Sequence, residues 1–240
     1  MTKSKSKLPN SAGERSSPSP MPGGSGEPGP RPSLPPPPAF QPSKYVFRLD
    51  SFEINNTRSL HEDTDHVTIG LKVGDKVFDP QTRHMGDLNN GTYEVGLEFG
   101  PILIDSPNTP VAFNFQIVNN GHADNADIEQ KLSAGALSLL TKVFSLTTPW
   151  SVIVGAVWDY IFGFIFADCD GPVAVDQVNL TGEALWEWTH GVGIHSQGKH
   201  YAGQESPRGC GENSSYWVTW SVVGAGVVPT KIVHAEFVPT

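Results

Sequence analysis

Carboxylates that cluster between apolar runs are the side chains in this chain best suited to chemistry. They occur in "HEDTDH" at 61–66, "HADNAD" at 122–127 and "DCDG" at 168–171. Calcium takes about six to eight oxygen ligands, and acids in loops that connect strands can supply them. The alternative is that these acids are only solvated, since the later ligands of an EF-hand loop are missing. The candidate calcium ligands are Glu62, Asp63, Asp65, Asp124, Asp127, Asp168 and Asp170.

Three histidines in "HGVGIHSQGKH" are the next candidates. His190, His195 and His200 are five residues apart, and neither a strand nor a helix brings that spacing to one zinc ion. A glycine-rich loop could, so a metal-dependent enzyme remains an alternative function, against the simpler interpretation of exposed loop histidines. The chain has no GxSxG, no phosphate-binding GxxxxGK[ST] and no GxGxxG after a strand. The sequence therefore commits to no reaction and favours a protein without catalysis.

Two cysteines and two tryptophans complete the candidate residues. Cys169 lies between two aspartates and Cys210 lies near Arg208; they are two separate thiols, or one disulfide in an oxidising compartment. The segment "EALWEWT", interpreted as a strand, places Trp186 and Trp188 on one face. Exposed on a sheet, this pair would form an apolar platform for a carbohydrate or a protein partner. In "SYWVTW", Tyr216 and Trp220 are expected in the core, with Trp217 on the opposite face.

The elements that must position these residues are mostly strands. Alternation of apolar and polar residues in "KYVFRLDSFEI", "HVTIGLKVG" and "VAFNFQIV" predicts half-buried strands. Strands return after residue 171, and the composition of residues 190–214 predicts a long loop. Apolar steps of three and four residues predict a helix from about residue 126. We therefore predict a mainly β protein: an antiparallel β-sandwich over 44–240, with a two-helix hairpin inserted at about 126–167.

The second arm of this hairpin contains the most apolar run of the chain. Residues 150–166 place Asp159 on a narrow face of small residues, and we expect this helix to be buried in the core. The run is also just long enough for membrane insertion, at about 1.5 Å per residue. A membrane-active protein that inserts the hairpin is therefore an alternative function.

The charge divides the chain into two parts. Residues 1–42 carry five Lys or Arg and two Glu, a net of +3, so the rest of the −9 chain carries −12. An acidic body argues against nucleic acid as a partner. Residues 1–43 are rich in Pro, Ser and Gly and are predicted to be a disordered leader. Without a secretory signal the expected location is cytoplasmic, and non-classical secretion is the alternative. The favoured function is a non-catalytic binding module with an acidic loop edge.

Overall fold

The computed structural model describes residues 38–59, 62–121, 125–142, 152–153, 170–203 and 213–228. The chain divides into two compact units, 1–38 and 39–240, and the second contains every element below. Residues 1–37 of the predicted leader and most of the predicted second helical arm lie outside the described residues. The predicted end of the leader at residue 43 is wrong, because Ser43 begins β1 and Phe40 packs on Trp186. The strands are β1 (Ser43–Asn56), β2 (Asp63–Val73), β3 (Lys76–Val77), β4 (Gln81–Leu88), β5 (Gly91–Ile104), β6 (Pro110–Asn119), β7 (Gly171–Thr181), β8 (Ile194–Ala202) and β9 (Ser215–Val227). The helices are α1 (Asn125–Leu140) and α2 (Gly182–Thr189).

The strands form two antiparallel sheets. The four-stranded sheet has the order β5-β1-β9-β8, and the five-stranded sheet has the order β3-β2-β6-β7 with β4 also paired to β2. The prediction of a mainly β protein with antiparallel sheets is confirmed. The predicted loop over 190–214 is wrong in part, because Ile194–Ala202 pairs with β9 along its whole length.

Side chains of the two sheets meet in one core. Phe47 on β1 lies 6.1 Å from Phe113 on β6, and Phe113 lies 6.2 Å from Trp220 on β9, measured between ring centroids. At one edge, Asp176 on β7 accepts hydrogen bonds from Lys199 Nζ and Tyr201 Oη on β8, both at 2.6 Å. Burial next to this carboxylate raises the pKa of Tyr201, so its hydroxyl stays protonated and keeps the link between the sheets.

Helix α1 packs against the five-stranded sheet through β2, β4 and β6. Its start at Asn125 agrees with the predicted first helical arm. Of the predicted second arm the structure describes only Val152 and Ile153, of which Ile153 is buried. Within the described ranges, no helix is both long and apolar enough to cross a membrane.

Helix α2 corrects the prediction of a strand at "EALWEWT". Thr181 Oγ1 accepts the Ala184 N–H at 3.2 Å and so caps the first turn. At the other end, His190 adopts a left-handed conformation with φ 48°, and its N–H donates to the Trp186 carbonyl at 2.7 Å. Two local caps thus favour the helix over the strand that the alternating pattern suggested.

Candidate functional site

A cluster of buried polar side chains joins both sheets at the start of β2. Asp63 and Asp65 are buried and both contact the hydroxyl of Tyr216 on β9, at 2.8 and 2.9 Å. Asp63 also accepts the backbone N–H groups of Arg58 and Ser59, each at 2.7 Å. The second oxygen of Asp65, Oδ1, has no hydrogen-bond partner among the described residues.

The two carboxyl groups compete for one phenol proton, because the Tyr216 hydroxyl lies within hydrogen-bond distance of both. Burial, and then the charge of Asp63, raise the pKa of Asp65 well above its usual value. The pKa of Tyr216 is also raised, first by burial and then by both aspartates, so its hydroxyl remains protonated. Tyr216 has one hydroxyl proton to donate, and the raised pKa of Asp65 favours the arrangement in which Asp65 is protonated and donates to the Tyr216 oxygen while Tyr216 donates to Asp63.

Arg58 supplies positive charge beside this pair. Its guanidinium lies against Gly171, where an added Cβ would be 3.2 Å from Arg58 Cζ. Burial lowers the pKa of Arg58, while the charges of Asp63 and Asp170 act in the opposite direction. Asp170 is buried and accepts the Gly121 N–H at 3.3 Å. This network links the start of β2, the end of β6 and the start of β7. Its polar groups bond to each other within the protein, so we interpret it as structural and not as a ligand site.

The candidate calcium ligands are thus only partly brought together. Asp63 and Asp65 share a partner, and Asp170 lies near Arg58, whereas Glu62 and Asp127 are exposed. Asp124 and Asp168 lie outside the described residues. Across the part of the chain that the structure describes, no three His, Cys, Asp or Glu side chains form a group that could hold a metal. Because Asp63 and Asp65 are buried, they cannot contribute to an exposed acidic edge. A calcium site remains a prediction.

The three spaced histidines occupy three different settings. His190 ends α2, His195 stacks on Trp188 with a centroid distance of 4.0 Å, and His200 bonds Ser215 Oγ at 2.8 Å. His195 and His200 are on β8 rather than in a loop. Their separation removes the geometric basis for one zinc site formed by all three.

A histidine pair was not predicted from the sequence. His66 on β2 is buried and stacks on His84 of β4 at 4.6 Å. Burial, and then the neighbouring His84, lower the pKa of His66 to about 4, while the Asn120 backbone opposes this shift. Only the β2–β4 register places the two imidazoles opposite each other, and no local motif indicates it.

Trp186 and Trp188 do not share one exposed face. On a helix, residues two apart point in different directions: Trp186 is buried beside Phe40, and Trp188 is half-buried between His195 and Trp220. The prediction that they form a sheet platform is wrong in this respect. Cys169 and Cys210 lie outside the described residues, so their disulfide stays a prediction.

Among the residues that the structure describes, Trp217 is the exposed Trp, Tyr or Phe side chain. It is 44% exposed on the outer face of β9, as its alternation with Tyr216 and Val218 predicts. Its indole packs over Gly198 of β8, where an added Cβ would lie 2.5 Å from Trp217 Nε1. Glu53 of β1 and His200 of β8 are its cross-strand neighbours. We call Glu53, Gly198, His200, Trp217 and Thr219 the Trp217 surface.

A shallow depression lies on the outer face of the same sheet, between β1 and β5. Its volume is about 220 Å³, and Arg48, Asp50, Glu94 and Glu98 line it. Arg48 Nε donates to Glu98 at 2.7 Å, and Ser221 Oγ donates to Asp50 at 3.0 Å. Burial is the main cause of a raised pKa at Asp50.

No protein-family model matches this chain, and no curated protein matches it significantly.

Proposed function

We propose that this protein is a non-catalytic β-sandwich binding module that recognises carbohydrate on the Trp217 surface. The sandwich arrangement is supported by the core that both sheets share and by the Asp176 link between β7 and β8. Two antiparallel sheets that pack through their inner faces can present an outer face for recognition, and Trp217 lies on that of the four-stranded sheet.

The half-exposed indole of Trp217 is the observation that carries the proposal. A sugar ring has one face of C–H groups and a rim of hydroxyls, so it needs an apolar plane with polar groups beside it. The Trp217 surface has this chemistry: the indole supplies the plane, and the Glu53 carboxylate, the His200 imidazole and the Thr219 hydroxyl are on strand positions beside it. Gly198 is required because a side chain there would collide with the ring.

An array of immobilised glycans, probed with the labelled full chain, tests the proposal. We expect binding to a subset of glycans, and we expect Trp217→Ala to weaken it by at least about tenfold, as truncation of a central tryptophan contact does. Trp217→Phe keeps an aromatic plane and should retain part of the affinity.

Leu103→Ala is the matched control. Leu103 is on β5 of the same sheet and is 46% exposed, so its truncation removes similar apolar surface away from Trp217. Thermal melts of all variants exclude loss of folding as the cause. Binding that survives Trp217→Ala unchanged, or no glycan bound by the folded chain, would contradict the proposal.

A further inference from the structure

Helix α1 lies on a surface of the five-stranded sheet that contains several buried polar side chains. Cross-strand pairs place Gly70 beside Asn114, Asn114 beside Gln177, and Thr68 beside Gln116, so these residues share one face. All five are buried. We call Thr68, Gly70, Asn114, Gln116 and Gln177 the polar patch. Most apolar residues of these strands point to the opposite face, into the core between the sheets, whereas the buried Ala112, Val118 and Val175 share the face of the polar patch.

The hydrogen bonds from the polar patch to α1 and to the turn after it all have the same direction. Side-chain amides donate to main-chain carbonyls: Asn114 to Ala136 at 2.9 Å, Gln116 to Leu132 at 3.4 Å and Gln177 to Lys142 at 2.8 Å. The flank of a helix offers carbonyl oxygens, because its N–H groups are already used within the helix. The amide oxygens opposite therefore have nothing to accept.

Three buried amide oxygens remain without a donor for this reason. Asn114 Oδ1, Gln116 Oε1 and Gln177 Oε1 have no hydrogen-bond partner within the described ranges. Rotating an amide by half a turn gives no relief, because its oxygen would then face a carbonyl oxygen. Water could satisfy all three oxygens if α1 moved away, so hydration favours an open state of this interface.

The apolar side of α1 is separate from the main core. Ile128, Leu132, Leu139 and Leu140 are buried, but none belongs to the cluster of side chains that fills the space between the sheets. Lifting α1 would thus uncover the polar patch, the neighbouring Ala112, Val118 and Val175, and an aliphatic helix face, with the packing between the sheets intact.

We propose that α1 is a releasable amphipathic helix whose aliphatic face, formed by Ile128, Leu132, Leu139 and Leu140, binds a lipid surface. The occupant is lipid because this face is wholly aliphatic and the chain continues beyond α1 into its most apolar run. A helix of 16 residues is about 24 Å long, shorter than the hydrocarbon core of a bilayer, so it would lie in the interface. This inference is independent of carbohydrate binding.

A disulfide that fastens α1 to β2 provides the test. An added Cβ at Gly70 would lie 3.3 Å from the Cβ of Ala136, close to the spacing of about 3.5–4.5 Å in disulfides. The variant carries Gly70→Cys and Ala136→Cys in a chain with Cys169→Ser and Cys210→Ser. Flotation with vesicles of equimolar phosphatidylcholine and phosphatidylserine measures binding, before and after reduction.

We expect the oxidised variant to bind the vesicles at least about tenfold more weakly than the same protein after reduction. The parent chain with both serines should bind equally in both conditions. Equal binding by oxidised and reduced forms would overturn the proposal, as would the failure of the parent chain to bind vesicles.

A second variant covers the case in which Gly70→Cys disturbs Asn114, whose Oδ1 would be 2.7 Å from the new Cβ. Gln116→Met removes an amide oxygen without a donor and keeps the side-chain length. We expect slower hydrogen exchange in α1 and about threefold weaker vesicle binding. Gln130→Met, on the exposed side of α1, should not slow exchange. If Gln116→Met instead speeds exchange in α1, bound water already satisfies the polar patch and the proposal is wrong.

Discussion

At the scale of single residues, Asp63 and Asp65 show how two neighbouring acids acquire opposite roles. Asp63 is a pure acceptor that receives two backbone N–H groups and the Tyr216 hydroxyl. Asp65 is buried next to the charge of Asp63, which raises the pKa of its carboxyl group and favours the protonated form. Asp65→Asn therefore preserves the hydrogen-bond pattern around Tyr216. Asp63→Asn instead places N–H donors where the carboxylate accepted.

We expect Asp65→Asn to stabilise the protein at neutral pH and Asp63→Asn to destabilise it by about 2–4 kcal/mol. The amide that Asp65→Asn introduces can donate to the Tyr216 oxygen as the carboxyl proton does. The amide that Asp63→Asn introduces must instead direct N–H groups at other donors. Chemical denaturation of each variant at one pH measures both effects, and a loss of stability in Asp65→Asn would refute the proton assignment.

The pH dependence of stability provides a second check on Asp65. Its folded-state pKa is raised, so the folded protein binds this proton more tightly than the unfolded chain. The stability that Asp65 contributes is complete below its unfolded pKa of about 3.9 and is lost as the pH rises through the folded value. The advantage of Asp65→Asn over the natural protein should therefore grow with rising pH. His66, whose pKa is lowered to about 4, gives the opposite slope between about pH 4 and 6.5, and it cancels in this difference.

At the scale of elements, α2 shows that end caps can decide between helix and strand. Its eight residues alternate well enough to suggest a strand, yet Thr181 and His190 satisfy backbone groups that only a helix leaves open. In the helix, Trp186 consequently points inward and packs against Phe40. The exposed tryptophan within the described part of the chain is Trp217 on β9 instead.

Replacing Thr181 by alanine tests the contribution of the N-cap. We expect Thr181→Ala to lower the free energy of unfolding by about 1 kcal/mol, because the Ala184 N–H loses its acceptor. Thr181→Ser keeps the hydroxyl and should change stability by only a few tenths of a kcal/mol, about the difference between good caps. Equal losses in both variants would mean that the methyl group of Thr181, rather than the cap, matters.

At the scale of the whole molecule, the folded unit begins before the first strand. Phe40 packs on Trp186 at 6.3 Å, and the Pro42 carbonyl accepts the Val228 N–H at 2.8 Å. Residues 39–42 therefore close the structure between α2 and the end of β9, although their composition resembles that of the leader.

Two truncations locate this boundary. We expect deletion of residues 1–37 to leave the melting temperature nearly unchanged. Deletion of residues 1–42 should cost about 2 kcal/mol, or about 4–8 °C, through the lost Phe40 burial and backbone bond. Calorimetry of both proteins measures the difference, and similar melting temperatures would show that residues 39–42 add nothing to stability.

Local patterns in the sequence were sufficient for much of the fold. Alternation located β1, β2, β6 and β9 and the side of β9 that carries Trp217, because a strand places neighbouring residues on opposite faces. Apolar steps of three and four residues located α1 for the equivalent reason. These features depend on residues close together in the chain, so the sequence alone determined them.

Only the tertiary structure decided which of the candidate residues meet. The Asp63–Tyr216 bond spans 153 positions of the chain, the His66–His84 stack depends on the β2–β4 register, and the amides of the polar patch bond carbonyls of a helical segment 16 to 35 positions away. Each of these contacts depends on how the strands pair within a sheet, how the two sheets pack, or how α1 lies on a sheet. A sequence pattern records the face a residue occupies but not the neighbour it meets there, because distant segments come together only when the chain packs.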